Sequence, residues 1–176
     1  HVLVIGGSQG ARVLNQVLPL AMARLQPEQR PKLVHQCGRG RSAALEEQYR
    51  QLQMDAEVPE YIDDMAAVYR KADLVICRAG AMTVAEICAA GLAALLVPYP
   101  YAAGDHQKTN ADYLASKGAA IAMDESDFSA QQLARTVGEL QNDRARLLLI
   151  GEKARALARL DAAQKVTARC LEVVGA

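Results

Sequence analysis

The sequence predicts an α/β fold: a parallel sheet of about six strands with helices on both faces. Three observations predict it. Short apolar runs rich in Val, Ile and Leu recur along the chain, segments of helical period separate them, and the first run passes directly into a glycine-rich turn. Such runs are what strands look like when both sheet faces are covered.

The strands are expected at Val2 to Ile5, Leu33 to Gln36, Leu74 to Cys77, Ala94 to Val97 and Ala119 to Met123, with a weaker one near Asp55 to Val58. Helical segments are expected between them at Ala11 to Leu25, Ser42 to Met54, Asp64 to Ala72, Thr83 to Ala90 and His106 to Ser116. After Asp124 the alternation stops. Gln131 to Leu140, Arg144 to Leu160 and Ala163 to Val174 read as successive helices, a tail that closes the domain. No repeat, low-complexity tract or linker-like run divides the chain, so residues 1–176 are read as a single domain.

The bulk numbers narrow the function classes. The chain has 176 residues, 51% of them hydrophobic, enough for one core of ordinary size. Its 20 Lys and Arg balance 20 Asp and Glu, so there is no electrostatic footprint for nucleic acid or an anionic membrane surface. Cys37, Cys77, Cys88 and Cys170 form neither a C-x-x-C pair nor a disulfide-like spacing, and no His stands near them as a zinc knuckle would need. A reducing, cytoplasmic setting is expected. The most apolar stretch, Ala89 to Gly104, is interrupted by Pro98 and Pro100 and is too short to span a bilayer. The chain opens on His1 directly before a strand, which suggests a fragment beginning at a domain boundary.

In open sheets of this class, ligands sit at the carboxyl ends of the strands. Gly6-Gly7-Ser8-Gln9-Gly10 stands there, after the first strand and before a helix, where backbone amides and the helix dipole can receive a phosphate. It is neither G-x-G-x-x-G nor a P-loop, and no acidic residue ends the second strand, which argues against NAD. A plain tight turn explains the glycines equally well at this point. Arg78-Ala79-Gly80-Ala81-Met82 makes a second turn of small residues ahead of a helix. Thr83 and Glu86 have the spacing of a capping box, the commoner use of such a pair. A carboxylate there would repel a diphosphate, so any ligand role for Glu86 is to accept from a neutral diol such as ribose.

Beyond the fifth strand, Asp105 is a natural N-cap, and Gln107 and Asn110 share a helix face from which two amides can meet sugar hydroxyls. His106 is a base by type, but a lone His at a helix start is more often a surface residue. In Tyr61-Ile62-Asp63-Asp64-Met65 either Asp can cap the following helix, and a backbone amide and carbonyl in this loop could read a base edge. His35, Arg12 and Arg78 each have an ordinary surface or ion-pair explanation.

The ordered set of motifs resembles the C-terminal half of the MurG-type glycosyltransferases. The match comprises Gly6 to Arg12 with Asn15, His35 to Gly38, Ile62 to Met65, Arg78 to Glu86, and His106-Gln107 with Asn110; only the helical tail is generic. The resemblance implies a GT-B enzyme, two Rossmann-like domains facing across a cleft, with the N-terminal acceptor domain outside this chain. It implies transfer of N-acetylglucosamine from UDP-N-acetylglucosamine to undecaprenyl-pyrophosphoryl-muramyl-pentapeptide in peptidoglycan synthesis, with no cofactor and no metal, on the cytoplasmic face of the membrane. By carry-over Gly7 and Ser8 contact the diphosphate, and Ile62 meets the uracil through its backbone. Ala81, Met82, Thr83, Val84 and Ala85 line the phosphates and sugar, Glu86 holds the ribose diol, and Gln107 reads the sugar hydroxyls. Arg78, His106 and Asn110 are further candidates, and the catalytic base belongs to the other half.

Three other readings compete. The chain could be a stand-alone donor-binding subunit of a two-chain transferase, which the gene upstream of His1 would reveal. It could be an epimerase-like GT-B enzyme, for which His106-Gln107 supplies acid and base groups poorly. It could be a non-enzymatic nucleotide-binding module, which titration with UDP-sugars and NADH would separate.

Overall fold

The computed structural model describes residues 1–7 and 11–174. Five parallel strands, β1 (Val2–Ile5), β2 (Leu33–Gln36), β3 (Leu74–Cys77), β4 (Ala93–Leu96) and β5 (Ile121–Ala122), form one sheet in the order β2-β1-β3-β4-β5. The helices are α1 (Arg12–Met22), α2 (Ser42–Gln51), α3 (Met65–Lys71), α4 (Ala81–Ala90), α5 (His106–Ser116), α6 (Ala130–Gln141), α7 (Arg144–Ala156) and α8 (Ala162–Val174).

Side-chain alternation along each strand feeds two cores. Val2 and Val4 point to one face, where Leu14 and Leu18 of α1, Tyr49 of α2 and Leu133 and Val137 of α6 cover them. Leu3 and Ile5 point to the other, under Tyr69 of α3, Ile87 of α4 and Leu114 of α5. Helix α7 serves both cores, with Ile150 in the first and Ala154 in the second. Its Gly151 lies against the Gly91 carbonyl, at the left-handed C-cap of α4, so closely that a β-carbon would not fit.

The weak strand expected near Asp55 to Val58 is reduced to a bridge, Val34 to Glu57. Glu57 donates to Leu33 O and accepts from His35 N–H, and the Pro59 carbonyl accepts from Cys37 N–H. Pro59 has no N–H with which to continue the ladder. The last strand is shorter than expected because Ala119 N–H turns back to Leu114 O, closing α5. Helices α6 and α7 close the domain as the tail was expected to, but α8 does not: its described side chains are exposed throughout, including Val166 and Leu171.

Candidate functional site

Strand β1 lies between β2 and β3, so the chain leaves it toward one side of the sheet and later returns on the other. That is a topological switch point, where the turns after the two central strands diverge and open a crevice. The register pairs Ile5 with Cys77, which sets the Gly6-Gly7 turn beside the Arg78-Ala79-Gly80 turn.

The helices begin in two ways. Helices α3, α6 and α7 carry side-chain caps: Asp64 accepts from Ala67 N–H at 2.9 Å, Ser129 from Gln132 N–H at 3.2 Å, and Asp143 from Arg146 N–H at 2.9 Å. Helices α1, α2, α4 and α5 have no side-chain cap among the described residues, and of these α1 and α4, which begin on Ala11 and Gly80, follow the two central strands. In α4 the first intrahelical bond is Val84 N–H to Gly80 O at 2.9 Å, so the amides of Ala81, Met82 and Thr83 have no partner within the helix. The space around Gly80 is open, and Met82 is 75% exposed. Two uncapped helix starts thus flank the switch point, with their positive dipole ends outward.

The capping box expected of Thr83 and Glu86 does not form. The helix starts two residues earlier than its sequence suggests, which makes Thr83 a first-turn residue and frees Glu86 from the cap. Its Oε2 instead accepts from the Tyr69 hydroxyl at 3.0 Å. Burial, and then the adjacent Glu86 carboxylate, push the Tyr69 phenol well above its ordinary value, so it stays a donor.

After β1, Gly7 takes a left-handed φ of 75° that suits glycine, and its N–H donates to Gln36 Oε1 at 3.3 Å. Gly6 N–H donates to Gln36 O at 3.3 Å, so the end of β2 holds the glycine turn. Ser8, with Gln9 and Gly10, lies outside the described residues. Ile62 is buried by its side chain in the core beneath the loop, while its N–H and C=O form no hydrogen bond among the described residues.

On the β4 side, Arg78 donates to the carbonyls of Val97 and Pro98 at 3.2 Å, pairs with Glu125 at 2.5 Å, and lies 5.3 Å from the Tyr99 ring centre. Its ion-pair reading holds. Gln107 Oε1 accepts from Tyr99 N–H at 3.0 Å, leaving its Nε2 without a partner among the described residues. Asn110 donates from Nδ2 to Ala79 O at 3.0 Å, which gives it a structural bond to the β3–α4 turn. His106 is exposed, its Nδ1 2.7 Å from Ala103 O. Asp105 stands at the N-cap of α5 but in a left-handed conformation, and its side chain caps nothing, contrary to expectation.

His35 overturns its surface reading: it is fully buried. Its Nδ1 is 2.8 Å from the Tyr49 hydroxyl and its Nε2 3.0 Å from Asn15 Oδ1. Asn15 spends its Nδ2 on Cys37 O at 3.0 Å, so its Oδ1 must accept. Nε2 therefore carries the proton and Nδ1 accepts from Tyr49. Burial holds the imidazole pKa down at about 4 instead of 6.5, in keeping with this neutral tautomer. The network ties the end of β2 to α1 and α2. Local sequence gave no sign of it, because its members come from three elements.

Comparison with known proteins gives the chain its family. A family model described as the glycosyltransferase family 28 C-terminal domain matches residues 1–166. The chain is 49% identical to the UDP-N-acetylglucosamine–N-acetylmuramyl-(pentapeptide) pyrophosphoryl-undecaprenol N-acetylglucosamine transferase of Nitrosococcus oceani, over 98% of this chain and 48% of that protein. It is 50% identical to the Methylococcus capsulatus protein of the same name, over 100% of this chain and 49% of that protein. The chain thus spans about half the length of the curated relatives it matches. The crystal structure of Acinetobacter baumannii MurG superposes with a TM-score of 0.85 at 40% identity, over 94% of this chain and 48% of that one. A calicheamicin glycosyltransferase shares the fold at a TM-score of 0.68 and 20% identity, over 99% of this chain and 44% of that one.

Proposed function

Because the chain belongs to the glycosyltransferase family 28 C-terminal domain family, we propose that it is the donor-binding half of an inverting N-acetylglucosaminyltransferase. The donor is UDP-N-acetylglucosamine, and the acceptor is the undecaprenyl-pyrophosphoryl-muramyl-pentapeptide of peptidoglycan synthesis, presented by an N-terminal domain. The single observation that carries the reading is the pair of uncapped helix starts flanking the β1/β3 switch point. Helices α2 and α5 also lack a capping side chain, and what sets α1 and α4 apart is their place on either side of the switch point, where bare amides can meet an external acceptor of hydrogen bonds.

In this site the amides of Ala81, Met82 and Thr83 receive the diphosphate, with Ser8 beside them, while Gly7, its N–H held by Gln36, shapes the turn that meets it. Val84 and Ala85 complete the wall beside the phosphates and sugar. The unpartnered backbone of Ile62 reads the uracil edge, Glu86 accepts from the ribose diol, and the Gln107 amide donates to a hydroxyl of the sugar. Arg78 and Asn110 shape the turns around them, while His106 borders the sugar side. When the acceptor hydroxyl attacks the anomeric carbon from the opposite side, the configuration inverts and negative charge collects on the departing diphosphate. Fixed amide dipoles aimed at that charge stabilise it more than they stabilise the bound donor, which is what lowers a barrier. The general base that takes the acceptor's proton belongs to the other domain, so this chain alone binds donor without turnover.

No helix among the described residues is long and apolar enough to cross a membrane. The complete enzyme works as a peripheral protein on the cytoplasmic face, where its lipid-linked acceptor is anchored.

Calorimetric titration with UDP-N-acetylglucosamine, UDP-glucose and NADH tests the reading. Binding is expected in that order of affinity, with none for NADH. NADH binding equal to that of the UDP-sugar would instead favour a general nucleotide module.

A further inference from the structure

The contact between Tyr69 and Glu86 has no part in any cap or sheet, and it joins a core residue to a surface carboxylate. From it we infer that Tyr69 is a positioning residue for the nucleotide's ribose: its phenol proton fixes Glu86 in an orientation from which the carboxylate accepts both hydroxyls of a vicinal diol. The inference rests on the ribose role proposed for Glu86.

Three features support it. The Tyr69 ring is 7% exposed, in the same core as Ile62, Val75 and Ile87, so the phenol oxygen is held by packing and not by solvent. Its partner is a side chain on an exposed residue, whereas a buried Tyr serving the fold alone is satisfied equally well by a backbone carbonyl. Helix α3 is capped at its start by Asp64, directly after the Ile62 loop, so the loop proposed to read the base runs straight into the helix that carries Tyr69.

The chemistry fits a diol. An ionised carboxylate has about four lone-pair positions on two oxygens, and the single Tyr69 proton occupies one of them on Oε2. Oε1 and the remaining position on Oε2 stay available to two O–H donors. A free Glu side chain loses rotamer freedom when it grips a ligand; one already held by Tyr69 has lost it beforehand, so the ligand is bound more tightly.

The test uses UDP and its 2′,3′-dideoxy analogue, which lacks both ribose hydroxyls, titrated against wild type, Tyr69→Phe, Glu86→Ala and the double variant. Tyr69→Phe keeps the ring and removes only the oxygen. It is expected to weaken UDP about tenfold, the effect of one hydrogen bond to a charged group, and to leave the dideoxy analogue unchanged. In the Glu86→Ala background the same change is expected to have no further effect. An equal loss for both ligands would make Tyr69 merely structural and overturn the inference. So would unchanged UDP affinity in Tyr69→Phe while Glu86→Ala loses it, which would leave the ribose role of Glu86 standing. Unchanged UDP affinity in Glu86→Ala would remove that role and the inference together.

Discussion

Asn110 in the second turn of α5 donates its side-chain amide to the carbonyl of Ala79, 3.0 Å away, and so ties one helix to the turn that opens another. Gln107, one turn earlier on the same helix, has no partner for its amide nitrogen among the described residues. Two residues that look equivalent in sequence therefore have different work.

The difference can be measured. Asn110→Ala removes a bond that shapes the start of α4, so it is expected to weaken UDP and UDP-N-acetylglucosamine by the same factor. It should also lower stability by about 1–2 kcal/mol. Gln107→Ala is expected to weaken UDP-N-acetylglucosamine alone. Titration of both ligands against both variants checks this; an unequal loss in Asn110→Ala would mean that its amide reaches the sugar after all.

Buried His35 makes the fold acid-sensitive. Its folded pKa of about 4 lies below the ordinary 6.5, so between those values the unfolded chain binds a proton that the native protein excludes. The contribution is complete above pH 6.5 and is lost as pH falls toward 4, with a loss on the order of 3 kcal/mol at the lower limit. Urea unfolding at a series of pH values should show this slope in wild type and a shallower one in His35→Gln. Parallel slopes for the two proteins would show that the imidazole does not titrate this way.

The sheet was legible in the sequence because strands covered on both faces are apolar runs, as Val2 to Ile5 and Leu74 to Cys77 are. The site was legible as places and less so as contacts. Thr83 and Glu86 have a capping spacing, yet the helix begins at Gly80, because the extended backbone there (ψ 144°) can start a helix without any side chain. The hydrogen bond from Tyr69 to Glu86 was missed because the two residues lie 17 positions apart, across a strand. His35 looked like a surface residue because burial of an imidazole depends on Tyr49 and Asn15, which only the packed helices bring to it.

Gly151 reverses a usual rule. Gly to Ala inside a helix ordinarily stabilises by about 1 kcal/mol. Here a methyl group would collide with the backbone carbonyl of Gly91, and Gly91 is itself fixed as the left-handed end of α4. Gly151→Ala is expected to destabilise by about 1–3 kcal/mol, read from the urea midpoint. Gly91 precedes β4, at the end of the sheet away from the site, so UDP affinity should be retained. A stabilised variant would show that α7 shifts freely over the α4 terminus.

The uncapped start of α4 is the feature on which the account turns, and one substitution addresses it. Position 80 has room for a side chain and an ordinary negative φ of −65°, so Gly80→Asp can cap the helix. A cap there should raise stability by about 0.5 kcal/mol while setting a carboxylate where the diphosphate is to lie. Calorimetry should show at least about a tenfold loss of UDP affinity, given the cost of a charge-assisted bond lost and a like charge gained. A stabilised variant that binds UDP as wild type does would contradict the claim that these amides hold the diphosphate.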